Sequence, residues 1–596
     1  MDSHDSKESS SDQTGVDHPP SFVPPSSRGA YDKNVTIEEY IHYANLTRAE
    51  EKIHLPNPDK STGLVAQVLR RPSVQQSASA IATGGGHESP SANDEKSQRQ
   101  ASAEGRAVIS ADEWRDASRL MRTASWGAGF YLITTDILGP YGVGFALGTM
   151  GWGPGIVLYT VFGFMAGYSG YLLWKIYLGL DSYEFPLRNY GDLAFRIFGP
   201  IPRHCVNILQ SIQLCLICGQ VIIQNGQGIS QASKFRLCYV VCILIFVIAG
   251  FIFGQIRTLR NYGLMSAVAV GLNLMVIFIT MGVMAHSPPN YKISVLGSAG
   301  SANDDGSITP DAQGNYPPIR HYNGLPNPNS LLGSINGLMQ GVFAYGGAQI
   351  FIEIMAEMRR PRDFLKSMII AQLFIWIVYL SYGCYVYYWQ GQYAFQVSYL
   401  GLSVYGWSVA CNMMAVISGL IAAGLYGNIG IKVLYNNILM DLLHAPALST
   451  RAGKIVFAAI VPIYWSTAFI IAAAIPDYFG FVSVIAAFCI VQFSYSFPPI
   501  LHLGYTIQKN AARAAMKEGF DPVTGQTTRL DGGVRRYIRG FFADRWYVNA
   551  WHVVHAGGAL AVAGLGAYAA IQGMIDAFKI PQVTSFTCTS PLNLNA

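Results

Sequence analysis

The sequence predicts an all-helical protein that crosses a membrane about eleven times. Of the 596 residues, 51% are hydrophobic and only 13% are charged, whereas soluble proteins carry roughly 25% charged residues. Apolar runs of about 20 residues, the length that crosses the hydrocarbon core, recur from residue 122 onward. The 61 glycines and 34 tyrosines are typical of helices packed in lipid and of membrane interfaces. We therefore expect a polytopic membrane protein.

The predicted spans are separated by short polar connections. They cover residues 122–149, 153–177, 203–229, 236–254, 261–285, 330–357, 366–389, 404–439, 454–475, 478–507 and 547–578. The third, eighth, tenth and eleventh are long for one crossing. We expect these four to tilt or to extend beyond the membrane.

The positions of lysine and arginine predict the orientation. Connections such as RTLR, EMRRPRDFLK and HAPALSTRAGK are basic, and they alternate with neutral ones such as PDYF. Because basic loops stay in the cytoplasm, we expect a cytoplasmic N-terminus and an extracytoplasmic C-terminal tail over 581–596. Lys234 and Arg236, between the third and fourth spans, are the exception to the pattern.

The first 110 residues differ in composition from the rest. They are rich in serine, proline, glutamine and charge, so we expect a disordered cytoplasmic tail that could bind regulatory proteins. The stretch VTIEEYIHYANLTRAEEKIHL has helical spacing and could fold on a partner. The first residues contain no apolar run, so no cleavable signal peptide is expected. The transmembrane domain is expected over 115–580.

Several classes of function lack support in the sequence. It contains no HExxH, GxSxG or GxxxxGK motif, so we expect neither an enzyme nor a bound cofactor. The net charge of +5 is too small for its length to indicate nucleic-acid binding. Cys215 and Cys218 are expected to be buried thiols rather than zinc ligands, and Cys588 could form a disulfide whose partner is not obvious. Three histidines in or beside spans are expected to pack or to cap helices: His502, His552 and His555.

Two spans contain glycine and proline where a membrane helix needs continuous hydrogen bonds. In the first, TTDILGPYGVGF, Pro140 removes a helix hydrogen bond and neighbouring glycines adopt open conformations. In the sixth, Gly346 and Gly347 follow Ala344 and Tyr345. Irregular backbone in a membrane is tolerated only where it is buried in protein or lines a cavity. Glycines that merely allow close packing are the alternative, but paired breaks in the first span of each five-span half favour a binding site.

The predicted site residues fall into two groups. Those expected to bind substrate are Ile137, Leu138, Gly139, Pro140, Tyr141, Gly142, Ala344, Tyr345, Gly346 and Gly347. Ionisable residues inside spans are costly and therefore functional candidates, and those expected to couple or gate are Asp136, Glu353 and Lys432. Polar contacts could also come from Gln213, Gln220 and Asn412, although interhelical hydrogen bonds explain these three equally well.

The stretch AYGGAQIFIEIMAEMRRPRDF resembles the sixth-span signature of the amino acid/auxin permease family, fungal branch. The matching motif residues are Glu357, Met358, Pro361 and Phe364. LGTMGWGPGIVLYTVFGFMAGYSGY resembles the end of the family's first span and its second span, and SYSFPPILHLGYT, with Pro498 and Pro499, resembles its tenth. The chain departs from the family where Gly144 stands at the usual proline of the first break. The resemblance implies a LeuT-type fold with a five-plus-five inverted repeat and an eleventh helix.

The resemblance also implies secondary transport of amino acids. It places Asp136 near Lys432, and we expect this pair to couple uptake to protons rather than to sodium; a static ion pair that fixes helix packing is the alternative. Glu353 is expected to act as a gate. The predicted substrates are neutral amino acids, including large or aromatic ones. A non-transporting amino acid sensor is the rival function, and the plasma membrane is preferred to the vacuolar membrane as location.

Overall fold

A computed structural model describes most of the chain. The described residues are 31–54, 122, 124–256, 259–303, 308–326, 331–440, 445–446, 448, 450–474, 478–514, 518–522, 524–579 and 586–593. The chain is almost entirely helical there, with one two-stranded hairpin. The all-helical fold class is therefore confirmed.

The first half of the chain consists of one docked helix followed by five predicted spans. The helices, in order, are α1 (Ile37–His54), α2 (Trp126–Ile137), α3 (Val143–Met150), α4 (Trp152–Leu180), α5 (Tyr190–Phe198), α6 (Pro200–Ala232), α7 (Tyr239–Phe253) and α8 (Leu259–His286). Helices α2 and α3 are the two parts of the first span. Its end is fixed by Gly151, whose φ is +80° and where a Cβ atom would lie 1.9 Å from the carbonyl oxygen of Gly324.

The second half repeats the pattern of an interrupted first span. Its helices are α9 (Tyr291–Ser294), α10 (Ala299–Asn303), α11 (Leu331–Ala344), α12 (Phe351–Glu357), α13 (Phe364–Gln390), α14 (Tyr405–Leu434), α15 (Arg451–Ala474), α16 (Tyr478–Ile485), α17 (Phe497–Arg513), α18 (Gly533–Phe542) and α19 (Trp546–Lys579). Helices α11 and α12 are the two parts of the sixth span. Strands β1 (Gly519–Phe520) and β2 (Thr527–Thr528) pair antiparallel between α17 and α18.

Nine helices in the described part of the chain are long and apolar enough to cross a membrane. They match the predicted spans except the fourth and the sixth. The fourth corresponds to α7, which has 15 residues, and the sixth is divided between α11 and α12. The count of eleven crossings therefore stays a prediction.

The tenth predicted span is irregular rather than simply tilted. Residues Ala486–Ile490 and Gln492–Ser496 form π-helical turns between α16 and α17. Pro498 and Pro499 follow at once and are buried in the first turn of α17. Helix α17 continues directly from the second π-helical turn, because the N–H of Phe497 donates to the carbonyl of Gln492. The two prolines have no N–H and therefore interrupt this pattern of hydrogen bonds.

Helix α1 lies on the transmembrane domain, which differs from the prediction of a tail disordered throughout residues 1–110. The stretch with helical spacing forms α1, and the partner on which it folds is this same chain. Its Glu38 carboxylate pairs with Arg536 at 2.7 Å and with Arg529 at 2.6 Å, and both arginines lie between α17 and α19. Residues 1–30 and 55–110 of the predicted tail lie outside the described residues.

A disulfide joins two distant parts of the chain on the side opposite α1. Cys588, for which the sequence offered no partner, is bonded to Cys238, immediately before α7. The backbone carbonyl of Cys588 also accepts a hydrogen bond from the N–H of Tyr239 at 3.1 Å. The bond therefore ties the C-terminal tail to the connection between the third and fourth spans.

Candidate functional site

The first span is interrupted where the sequence predicts. Helix α2 ends at Ile137, Leu138 is extended, and Gly139 has φ −150° and ψ 69°. A short 3₁₀ turn over Pro140–Gly142 then leads into α3. This geometry leaves carbonyl groups at the end of α2 without their helical partners.

Side chains from three other spans satisfy these carbonyls. Each donor comes from a different helix: α14, α13 or α8. Tyr426 Oη donates to Asp136 O at 2.8 Å, Tyr379 Oη donates to Ile137 O, and Asn273 Nδ2 donates to Leu138 O at 3.2 Å. The end of α2 is thus capped from outside its own helix.

The second break meets the first directly. Helix α11 ends at Ala344, and a 3₁₀ turn over Ala348–Ile350 precedes α12. A Cβ atom on Gly347 would lie 2.5 Å from Asp136 Oδ2 and 2.5 Å from Ile137 Cγ1. Only glycine leaves room for so close an approach, so the two interrupted spans are in van der Waals contact at their breaks.

A cavity of about 170 Å³ lies between the breaks and the spans around them. Seven of the predicted substrate residues line it: Ile137, Leu138, Gly139, Tyr141, Gly142, Ala344 and Gly346. Three do not line it: Pro140, Tyr345 and Gly347. Pro140 and Gly347 shape the breaks, and Tyr345 packs its ring against Gly163 on the second span.

Asp136 also lines this cavity. Both carboxylate oxygens are buried, and neither has a hydrogen-bond partner among the described residues. An ionised carboxylate in such a place is costly, and a proton removes that cost. The carboxyl group therefore lies at the contact between the two breaks without a fixed partner.

Lys432 is not the partner of Asp136, contrary to the expectation drawn from the resemblance. The charged groups that act on Lys432 are Glu357 and, more weakly, Glu353. Tyr426, on the same helix, is the residue that reaches Asp136. Lys432 follows Tyr426 by six residues, which is about 9 Å along a helix, so it lies at the level of the far end of α12.

Glu353 is held from the third span. Its Oε1 accepts a hydrogen bond from Gln210 Nε2 at 2.8 Å, and the same amide donates to the carbonyl oxygen of Gln349 at 2.7 Å. The other carboxylate oxygen is buried and has no partner among the described residues. Neither Glu353 nor Lys432 lines the cavity; both lie between it and the side that carries α1.

On that side the two interrupted spans are joined through their backbones. The N–H of Ala124 donates to the carbonyl of Glu357 at 2.9 Å, and the N–H of Arg359 donates to the carbonyl of Ala124 at 2.9 Å. Met358 is fully buried, with its sulfur beside Gly129 of α2. The start of the first span and the end of the sixth are therefore closed against each other.

The remaining motif residues turn the chain from α12 into α13. Pro361 begins a 3₁₀ turn, and its carbonyl accepts a hydrogen bond from Trp174 Nε1 at 3.2 Å. Phe364 is fully buried and packs against Phe351, with ring centroids 5.3 Å apart.

The three additional polar candidates have different surroundings. Gln220 lines the cavity and donates to Tyr478 Oη at 2.7 Å. Asn412 donates to Gln231 Oε1 at 2.8 Å, away from the cavity, so it is an interhelical contact. Gln213 is fully buried and does not line the cavity.

Comparison of the sequence with known protein families identifies the family of this chain. The sequence profile of the family described as "Transmembrane amino acid transporter protein" matches residues 122–524, more than half of the chain. The chain belongs to this family. Within the matched region lie both breaks and every residue predicted to bind, couple or gate.

Two fungal proteins, each described as a transmembrane transporter, are similar to this family member. One, from Gibberella moniliformis, is 23% identical over 345 residues, and one from Fusarium pseudograminearum is 24% identical over 345 residues. Each match covers 56% of this chain and 66% of the relative, which is just under two thirds of the relative's length. Among solved structures, a Na⁺-coupled sialic acid symporter in a substrate-bound, outward-open state matches 79% of this chain and 96% of its own, with a TM-score of 0.42 and 12% identity.

Proposed function

We propose that this transporter moves neutral amino acids, including large or aromatic ones, across a membrane by alternating access coupled to protons. The observation that carries the proposal is the meeting of two helix breaks at one cavity. Breaks expose backbone N–H and carbonyl groups, which suit the carboxylate and the ammonium of an amino acid.

The lining of the cavity supports a neutral side chain. Among the described residues that line it, Asp136 alone carries a formal charge. That carboxyl group can meet an α-ammonium or carry a proton, but a charged substrate side chain would find no opposite charge in the rest of the lining. Tyrosines and carboxamides, among them Tyr399, Tyr478, Gln220 and Gln224, offer apolar faces and hydrogen bonds instead.

The capped carbonyls of α2 support protons over sodium. Sodium is held in transporters by carbonyl oxygens of unwound backbone. Here the oxygens of Asp136 and Leu138 already accept hydrogen bonds from side chains, and the oxygen of Ile137 shares the Tyr379 hydroxyl with that of Ala344. Asp136, whose carboxylate oxygens have no partner among the described residues, is the group that we propose to take and release the coupling proton.

Alternating access requires that the α1 side, where the first and sixth spans are closed against each other, opens during the transport cycle. We propose that Glu353 and Lys432, which lie between the cavity and the α1 side, act there as gate residues. We also propose that the α1 side is cytoplasmic and the C-terminus extracytoplasmic. The Cys238–Cys588 disulfide supports this orientation, because disulfides persist outside the cytoplasm. The plasma membrane is our preferred location over the vacuolar membrane.

Uptake into proteoliposomes tests this function. Labelled phenylalanine, leucine, glutamine, lysine and glutamate would each be offered with an inward proton gradient, an inward sodium gradient or neither. We expect the neutral amino acids to accumulate with the proton gradient alone. Accumulation driven only by sodium would contradict the coupling, and preferred uptake of lysine or glutamate would contradict the substrate class.

A non-transporting sensor on the same scaffold is the second candidate. The observation in its favour is the docking of α1 onto the domain, because a sensor signals through a segment attached to its binding domain. A sensor would bind a neutral amino acid without uptake under any gradient. If a neutral amino acid stabilised the protein against heat but did not accumulate in the proteoliposomes, the sensor would replace the transporter as the proposed function.

A further inference from the structure

The hydroxyl of Tyr379, on α13, contacts backbone groups of both interrupted spans. Its oxygen accepts a hydrogen bond from the N–H of Gly139 at 3.1 Å. The same oxygen lies within hydrogen-bond distance of the carbonyl of Ile137 and, at 2.9 Å, of the carbonyl of Ala344. One side chain from a third helix thus joins the first break to the second.

The chemistry of a hydroxyl limits what it can do at this junction. A phenolic O–H has one hydrogen to donate, and its oxygen can accept. The N–H of Gly139 uses the oxygen as an acceptor, so the single hydrogen serves either Ile137 O or Ala344 O at any moment. The carbonyl that is not served is a buried acceptor without this donor, which is unfavourable until another donor arrives.

We propose that Tyr379 is a positioning residue that ties the two breaks together and leaves one carbonyl, Ile137 O or Ala344 O, for the ammonium of the substrate. This inference rests on the proposed transport of amino acids. Tyr379, Ile137 and Ala344 all line the cavity, so an ammonium group there can reach the carbonyl that lacks the hydroxyl hydrogen. With both carbonyls satisfied, the substrate holds the two interrupted spans in one relative position.

The ring of Tyr379 is fixed independently of its hydroxyl. It is fully buried and packs against Tyr345 and Tyr159, with centroid distances of 5.2 Å and 6.4 Å. Tyr379→Phe therefore removes the junction and keeps the packing. Tyr387→Phe is a matched control, because Tyr387 lies on the same helix, is 1% exposed and bonds through its hydroxyl to the N–H of Tyr322 at 2.9 Å, away from the cavity.

The first test needs no substrate. Hydrogen–deuterium exchange would be compared in peptides over 134–142 and 343–349 of the wild type and both variants. We expect Tyr379→Phe to speed exchange in both peptides by about tenfold, the size expected when buried backbone groups lose a partner, and Tyr387→Phe to change neither. A change in only one peptide, or in neither, would overturn the tie between the breaks.

The second test separates positioning from general stability. In proteoliposome uptake of the preferred neutral amino acid, we expect Tyr379→Phe to raise KM about tenfold. A purely structural role would lower the maximal rate through loss of active protein and leave KM unchanged, which would overturn the ammonium assignment. If the wild type transported no amino acid, the proposed function would fail, whereas the exchange experiment would still decide whether Tyr379 ties the breaks.

Discussion

Replacing Asp181 by asparagine should release helix α1 from the transmembrane domain. Asp181 follows the last residue of α4 and is fully buried. Its carboxylate accepts hydrogen bonds from Arg122 at 2.8 and 2.9 Å and from Arg48 of α1 at 2.7 Å. The substitution keeps the size of the side chain and removes the charge that both guanidinium groups face.

The expected magnitude follows from this burial. Removing one partner of a buried ion pair costs about 3–5 kcal/mol. Arg48 keeps a second carboxylate, because Glu51 accepts from it at 2.6 Å, so we take the lower end for the docking of α1. Since every 1.4 kcal/mol is a factor of ten, about 3 kcal/mol raises the undocked fraction about 100-fold.

Limited trypsin digestion measures that fraction. Cleavage after Arg48 or Lys52 in α1 requires the helix to leave its site, and its rate tracks the population of the open form. We expect Asp181→Asn to be cleaved there about 100-fold faster than the wild type. Asp531→Asn is the control, because Asp531 pairs with Arg539 rather than with α1. Equal cleavage rates in wild type and Asp181→Asn would refute the reasoning.

Low pH should release α1 in the same way as Asp181→Asn, because protonation also removes the charge of Asp181. Burial raises the pKa of Asp181, but Arg122 and Arg48 lower it more, so the pKa lies below its usual value. Because the folded-state pKa is lowered, the stabilisation is present above the unfolded-state value and is lost as the pH falls through the folded-state value. We expect exchange of residues 37–54, corrected for intrinsic rates, to be constant from about pH 8 to pH 5 and to rise only below about pH 4. Release near neutral pH would contradict this.

Two further predictions concern the breaks and the disulfide. Gly347→Ala should abolish uptake without preventing folding, because its Cβ would lie 2.5 Å from Asp136 Oδ2. Gly167→Ala is the control and should transport normally, because no atom lies within 4 Å of its Cβ. Equal uptake by both variants would contradict the contact between the breaks. In intact cells a membrane-impermeant maleimide should label Cys588 only after reduction, because the thiol is bonded to Cys238 and we place it outside. Labelling without reduction would contradict the bond, and a need to permeabilise the cells would contradict the orientation.

The sequence predicts the breaks well because the rules that make them are local. Proline removes a hydrogen bond wherever it stands in a helix, and glycine accepts open conformations, so Pro140 and Gly346 identify their own positions. The donors that complete the site come from other spans. Tyr379, Tyr426 and Asn273 are polar residues in apolar helices, which is equally consistent with interhelical packing, and only the packing of three helices around α2 shows their role.

The pairing of charges was less predictable than the breaks. Lys432 and Asp136 lie on neighbouring spans, but the level of each residue along its helix decides which charges meet, and a shift of six residues moves a side chain by about 9 Å. The docking of α1 likewise depends on residues that are far apart in the sequence, since Glu38 and Arg536 are separated by almost the whole chain. The helical spacing of this stretch showed that it could fold, but not on what.

The most direct test of the account compares gradient-driven accumulation with gradient-free exchange in the wild type and in Asp136→Asn. Both proteins would be reconstituted in proteoliposomes and offered a labelled neutral amino acid, with an inward proton gradient in one set and unlabelled substrate inside in the other. We predict that the wild type does both, whereas Asp136→Asn exchanges substrate but does not accumulate it. Accumulation by Asp136→Asn that still depends on the proton gradient would contradict the assignment of Asp136 as the coupling group.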